Sequence, residues 1–111
     1  MKIALDALGG DNAPLSNIKG AFEYLEDKSS PVAEIILLGD KELIKSSILS
    51  LGKNPLDVKI IHTTQQVEMN EKASRIFKDK PDSSLVKTIQ LVNDGKADAA
   101  VSAGNTGALL T

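Results

Sequence analysis

Short apolar runs that stop at a glycine or a polar turn, each followed by a segment of helical periodicity, recur along this chain and narrow its possible architectures to a few. Ile3 to Leu8 is nearly uninterrupted and ends in Gly9-Gly10; Glu34-Ile35-Ile36-Leu37-Leu38-Gly39 repeats the pattern. Runs of this kind, apolar throughout rather than alternating, belong to strands buried on both faces. Val58-Lys59-Ile60-Ile61-His62 reads as a third strand and Ala99-Ala100-Val101-Ser102-Ala103 as a fourth.

Helical segments fill the intervals. Ile18, Ala21, Phe22 and Leu25 share one helical face, with Pro14 in the first turn. Asp40 is the expected N-cap of a helix carrying Leu43, Ile44, Ile48 and Leu51. Asp82-Ser83-Ser84 predicts the start of a helix with Leu85, Val86, Ile89 and Val92, and Asn93-Asp94-Gly95 predicts its stop. Gly104-Asn105-Thr106-Gly107 opens a further helix with Ala108-Leu109-Leu110. The polar stretch from Thr63 to Lys80 offers only a short helix around Lys72 to Phe77. Alternating strands and helices imply right-handed crossovers, so the expected class is α/β: a three-layer, Rossmann-like, mostly parallel sheet with helices on both faces.

With 111 residues, of which 41% are hydrophobic, the chain suits one small globular unit, and no Pro/Gly-rich linker divides it. It stops inside an apolar helical segment without a C-cap, so residues 1–111 are expected to be the N-terminal part of a single larger α/β domain. Such a part alone is expected to be inactive and prone to associate.

Composition removes several function classes. A net charge of −2 with scattered lysines lacks the basic stripe of a nucleic-acid binder, and 3% aromatic residues make no stacking platform. With no cysteine there is no disulfide, thiolate metal site or cysteine nucleophile. Asp6 interrupts the run that a signal peptide would need, which points to a cytoplasmic protein, at most attached to a membrane through another region.

In open α/β sheets, ligands bind beyond the carboxyl ends of strands, where helix N-termini attract anions. Two loops here are suited to such binding, Gly9-Gly10-Asp11-Asn12-Ala13-Pro14 and Ser102-Ala103-Gly104-Asn105-Thr106-Gly107. Glycine permits close backbone approach to a phosphate, and Asn, Ser and Thr add side-chain hydrogen bonds. The same residues also make ordinary tight turns with good caps, and neither loop matches the dinucleotide or P-loop fingerprint.

Other residues carry paired readings of the same kind. Asp6, inside an apolar strand, either accepts hydrogen bonds from neighbouring loop N–H groups or orients a phosphate or thioester site. His62, the only histidine, is either an exposed polar strand end or a general base. Lys72, Arg75, Lys78 and Lys80 form either a solvated surface or a dock for an acidic partner.

Asp6-Ala7-Leu8-Gly9-Gly10-Asp11-Asn12-Ala13-Pro14 resembles the opening motif of the PlsX-type phosphate acyltransferases, with Leu8 where Met is common. Gly95-Lys96-Ala97-Asp98-Ala99-Ala100-Val101-Ser102-Ala103-Gly104-Asn105-Thr106-Gly107-Ala108-Leu109 is similar to the second signature of that family. Ile35 to Asp40, Glu68-Met69 and Lys80 to Ser84 also resemble family segments, so the likeness covers essentially the whole chain.

The resemblance implies a fold like that of isocitrate and isopropylmalate dehydrogenases and of phosphate acetyltransferases. It implies transfer of a fatty acyl group from acyl-carrier protein to inorganic phosphate, giving acyl-phosphate for phospholipid synthesis. It also implies no cofactor or metal, a homodimer, and peripheral membrane contact through regions outside this chain. On that basis Asn105, Thr106 and Asp6 are the candidate catalytic residues. Ser102, Gly104 and Gly107 are candidates for phosphate binding, and Gly9, Gly10, Asp11 and Asn12 for the adjacent wall. Two readings compete: a nucleotide-dependent oxidoreductase domain, for which Asp40 is present but the glycine fingerprint is not, and a non-catalytic anion-binding module.

Overall fold

The computed structural model describes residues 1–7, 14–29, 32–64 and 82–102. Within them the chain forms β1 (Lys2–Asp6), α1 (Leu15–Glu26), β2 (Glu34–Gly39), α2 (Lys41–Ser50), a 3-10 turn (Pro55–Asp57), β3 (Lys59–His62), α3 (Ser84–Asn93) and β4 (Ala99–Val101). The strands make one parallel sheet in the order β3-β2-β1-β4. The α/β class expected from the sequence is the class observed.

Side chains alternate across this sheet, and each face has its own helices. Ile35 and Leu37 of β2 pack with Ala7, Ile18, Phe22, Ile44 and Ile48, under α1 and α2. Ile36 and Leu38 turn the other way and join Ala4, Ala97 and the half-buried Leu91 and Val92, beneath α3. Double-sided burial explains why Ile35, Ile36, Leu37 and Leu38 of β2 form an unbroken apolar run after the exposed Glu34. Leu37, Ile18 and Ile48 are fully buried, and each such side chain contributes about 1.5–3 kcal/mol relative to exposure.

Local signals set the helix ends. Asp40 caps α2 as expected, its Oδ1 accepting from the N–H groups of Glu42 at 3.0 Å and Leu43 at 3.1 Å. Ser83 is the residue of the Asp82-Ser83-Ser84 signal that caps α3, accepting from Val86 N at 3.2 Å. At the far end, Gly95 has φ of +73° and donates to Val92 O at 3.1 Å, while Lys96 donates to Leu91 O at 2.8 Å. That pair of bonds is a Schellman stop, and its left-handed position selects glycine.

Several expected boundaries and facings shift. β1 ends at Asp6 rather than Leu8, although Ala7 still donates to Leu38 O at 2.9 Å; Leu8 lies outside the described residues. β3 starts at Lys59 rather than Val58, because Val58 closes the preceding 3-10 turn. β4 ends at Val101, with Ser102 beyond the ladder. Pro14 is the N-cap of α1 and not part of its first turn, and its carbonyl accepts from Ile18 N at 3.0 Å. Leu43 is exposed, since the Ile44–Ile48 ridge of α2 meets the sheet and turns Leu43 to the rim. The short helix expected at Lys72 to Phe77 and the one opening at Gly104 lie outside the described residues.

Candidate functional site at the strand carboxyl ends

Strand order fixes where a site can form. From β1 the chain moves to β2 and then β3 with α1 and α2 on one face; it then returns past β1 to β4 with α3 on the other. The reversal places a switch point between β1 and β4, and in open α/β sheets such a point, beyond the strand carboxyl ends, is where ligands bind. Asp6 is the last residue of β1. The register pairs Leu5 with Val101, so the next step sets Asp6 beside Ser102.

Asp6 is 2% exposed, and a carboxylate so buried needs donors. Two serines supply them: Ser84 Oγ donates to Oδ1 at 2.5 Å, and Ser102 Oγ donates to Oδ2 at 2.9 Å. One carboxylate thus joins the end of β1, the first turn of α3 and the end of β4, residues 78 and 96 positions apart in sequence. Both of these donors are hydroxyl groups, and the loop N–H groups suggested by the sequence lie outside the described residues.

Further hydrogen bonds hold the surroundings. Thr88 Oγ1 donates to Ser84 O at 2.6 Å, inside the buried first turn of α3. Asn17 Nδ2 donates to Ala7 O at 3.1 Å and Asp6 O at 3.4 Å, tying α1 to the end of β1. Thr63, just past β3, is bonded through its N–H to Gly39 O at 2.8 Å, but its buried Oγ1 has no hydrogen-bond partner among the described residues.

Of the residues singled out in the sequence, Asp6 and Ser102 meet directly. Gly9, Gly10, Asp11, Asn12, Gly104, Asn105, Thr106 and Gly107 lie outside the described residues, as do Lys72, Arg75, Lys78 and Lys80. His62 is elsewhere: it ends β3, which β2 separates from β1. Its Nδ1 accepts from Lys41 N at 3.1 Å, so its structural role is to hold the start of α2, with the ring proton on Nε2 in the neutral form.

Sequence reasoning missed Ser84, Thr88 and Asn17 as parts of this arrangement. The signal for Ser84 was present, since a helix start needs only one capping serine and Ser83 supplies it, leaving a second hydroxyl for another partner. Nothing comparable marked Thr88 or Asn17.

An apolar groove of about 410 Å³, lined by Ile3, Leu5, Tyr24 and Val101 among others, lies on the α1 face, and Asp6 is not part of its wall. Among the described residues no cluster of His, Asp or Glu has the makings of a metal site, and no helix is long and apolar enough to cross a membrane.

Fold and site together define a doubly wound parallel α/β protein in which β1 and β4, the strands that precede the two glycine-rich sequence segments, are neighbours at the switch point. Residues 1–111 match the family described as fatty acid synthesis protein. The chain is 42% identical over 110 residues to a phosphate acyltransferase of Clostridioides difficile, covering 99% of this chain and 32% of that protein. It is 41% identical over 111 residues to the phosphate acyltransferase of Dictyoglomus turgidum, covering 100% and 32%. For that of Desulfitobacterium hafniense the identity is 45% over 108 residues, covering 97% and 31%. The chain belongs to this fatty acid synthesis family, that of the PlsX-type phosphate acyltransferases. It spans about a third of the length of these curated relatives.

Proposed function

We propose that the full-length protein transfers a fatty acyl group from the thioester of acyl-carrier protein to inorganic phosphate, releasing the carrier thiol and acyl-phosphate. The observation that carries this reading is the Asp6–Ser102 hydrogen bond, which brings the starts of both signature loops to one point at the switch of the sheet. The names of the relatives support the acyltransferase class.

The chemistry suits such a site. Phosphate is an anionic nucleophile at neutral pH and needs placement more than deprotonation, so holding it against the thioester carbonyl supplies the main advantage. One phosphate oxygen attacks the carbonyl carbon, the carbonyl electrons move onto oxygen, and their return expels the thiolate, which takes a proton from water. Ser102 and the Gly104, Asn105, Thr106 and Gly107 stretch bind phosphate or the developing oxyanion. Gly9, Gly10, Asp11 and Asn12 form the adjacent wall, and Asp6 orients both loops. Backbone and side-chain donors aimed at the developing charge are the effective device.

Purified full-length protein mixed with acyl-carrier thioester tests the reading through release of free thiol. Release that depends on phosphate is expected, and Asn105→Ala lowers it at least about tenfold, since one aligned donor contributes about 2.7–4 kcal/mol. Thiol release independent of phosphate, or none, counts against the proposal.

A further inference from the structure

The two oxygens of Asp6 accept from serines of unequal burial. Ser84, on Oδ1, is 3% exposed and sits in a helical turn capped by Ser83 and laced by the Thr88 hydroxyl. Ser102, on Oδ2, is only part-buried and follows a strand of three residues at the edge of the described sheet. The terminal torsion of an aspartate is broad, so a firm donor on one oxygen sets the plane in which the other is presented. Direction therefore runs from α3, through Asp6, to the end of β4. The helix cap does not account for the Ser84 hydroxyl, because Ser83 already satisfies Val86 N.

We infer that Ser84 is a positioning residue for the phosphate step, acting through Asp6 to set the place of Ser102. This rests on the reading of the loop after β4 as the phosphate-binding loop. Ser84 itself does not touch the reacting atoms; it fixes the carboxylate that fixes Ser102.

Steady-state kinetics on the full-length protein, with phosphate and acyl-carrier thioester varied separately, tests this. Ser84→Ala is expected to raise KM for phosphate about tenfold and to leave KM for the thioester within about twofold, the former being the low end for a hydrogen bond to a charged group. Ser84→Cys keeps the side-chain shape with a weaker donor, gives a smaller rise in the same constant, and carries the test if the alanine variant does not fold.

In a double-mutant cycle, action through Asp6 predicts that adding Ser84→Ala to Ser102→Ala changes phosphate KM no further. Additive effects, or variants with lowered Tm and unmoved phosphate KM, overturn the inference and leave Ser84 a packing residue. A wild-type protein without phosphate-dependent thiol release overturns the functional reading and this inference with it. A phosphate-dependent wild type with unmoved Ser84 variants overturns this inference alone.

Discussion

Asn17, in the first turn of α1, donates its Nδ2 hydrogen to the carbonyl oxygen of Ala7 at 3.1 Å, binding the helix to the residue that follows β1. The same amide reaches Asp6 O at 3.4 Å, so one side chain steadies the backbone on which the buried carboxylate sits. Asn17→Ala is expected to lower stability by about 1 kcal/mol, the usual net contribution of such a bond. Asn17→Asp, which points a second oxygen at the carbonyls, is expected to cost more than alanine. Thermal unfolding of both variants checks the order; an aspartate variant as stable as the wild type contradicts it.

Ser83 and Ser84 are adjacent yet have separate roles, which makes Ser83 a control for its neighbour. Ser83→Ala removes the cap of α3 and is expected to reduce stability by about 1 kcal/mol. Because its Oγ bonds Val86 N and not Asp6, phosphate KM is expected to stay at the wild-type value. Urea unfolding and phosphate titration on one preparation separate the effects, and a Ser83 variant with weakened phosphate dependence breaks the distinction.

Thr63 offers a stabilising change. Its Oγ1 is buried without a hydrogen-bond partner among the described residues, and an unsatisfied buried hydroxyl costs about 1–3 kcal/mol. Thr63→Val keeps the shape and removes the polar atom, so a higher Tm is expected. A Tm at least a degree or so below wild type, on a stability curve where about 1 kcal/mol moves Tm by several degrees, shows that the hydroxyl has a partner in the working protein.

Thr64 and Asp82 supply a pH-dependent contact. The Thr64 hydroxyl and then its N–H at 2.9 Å hold the Asp82 carboxyl below the ordinary carboxylate value against the opposing effect of burial, with lesser help from the nearby Lys87 cation and from His62. A lowered folded value means that the contribution is complete above the unfolded value, about 3.9, and is lost as pH falls through the folded one. Thr64→Val removes the hydroxyl donor. The Tm difference between wild type and variant is therefore expected to hold steady from neutral pH to about 5 and to shrink below about 4. Thermal unfolding across that range decides it, and a difference that grows toward acid reverses the sign.

Local signals in the sequence determined the α/β class, the existence and order of the four described strands and three described helices, and the caps at Asp40, Ser83 and Gly95. Each depends on neighbours within a few residues: apolar run length, the 3.6-residue period, a short side chain beside free N–H groups. The resemblance of the two signature segments pointed to the family independently of the fold.

Tertiary structure alone decided how distant residues were combined. The strand order β3-β2-β1-β4 put Asp6 beside Ser102 and left His62 behind β2. It also drew Ser84 to the carboxylate across 78 residues of sequence. No local pattern encodes these meetings, because a buried charge accepts whichever donors the packed layers bring within reach, and that depends on the crossover faces and the register together.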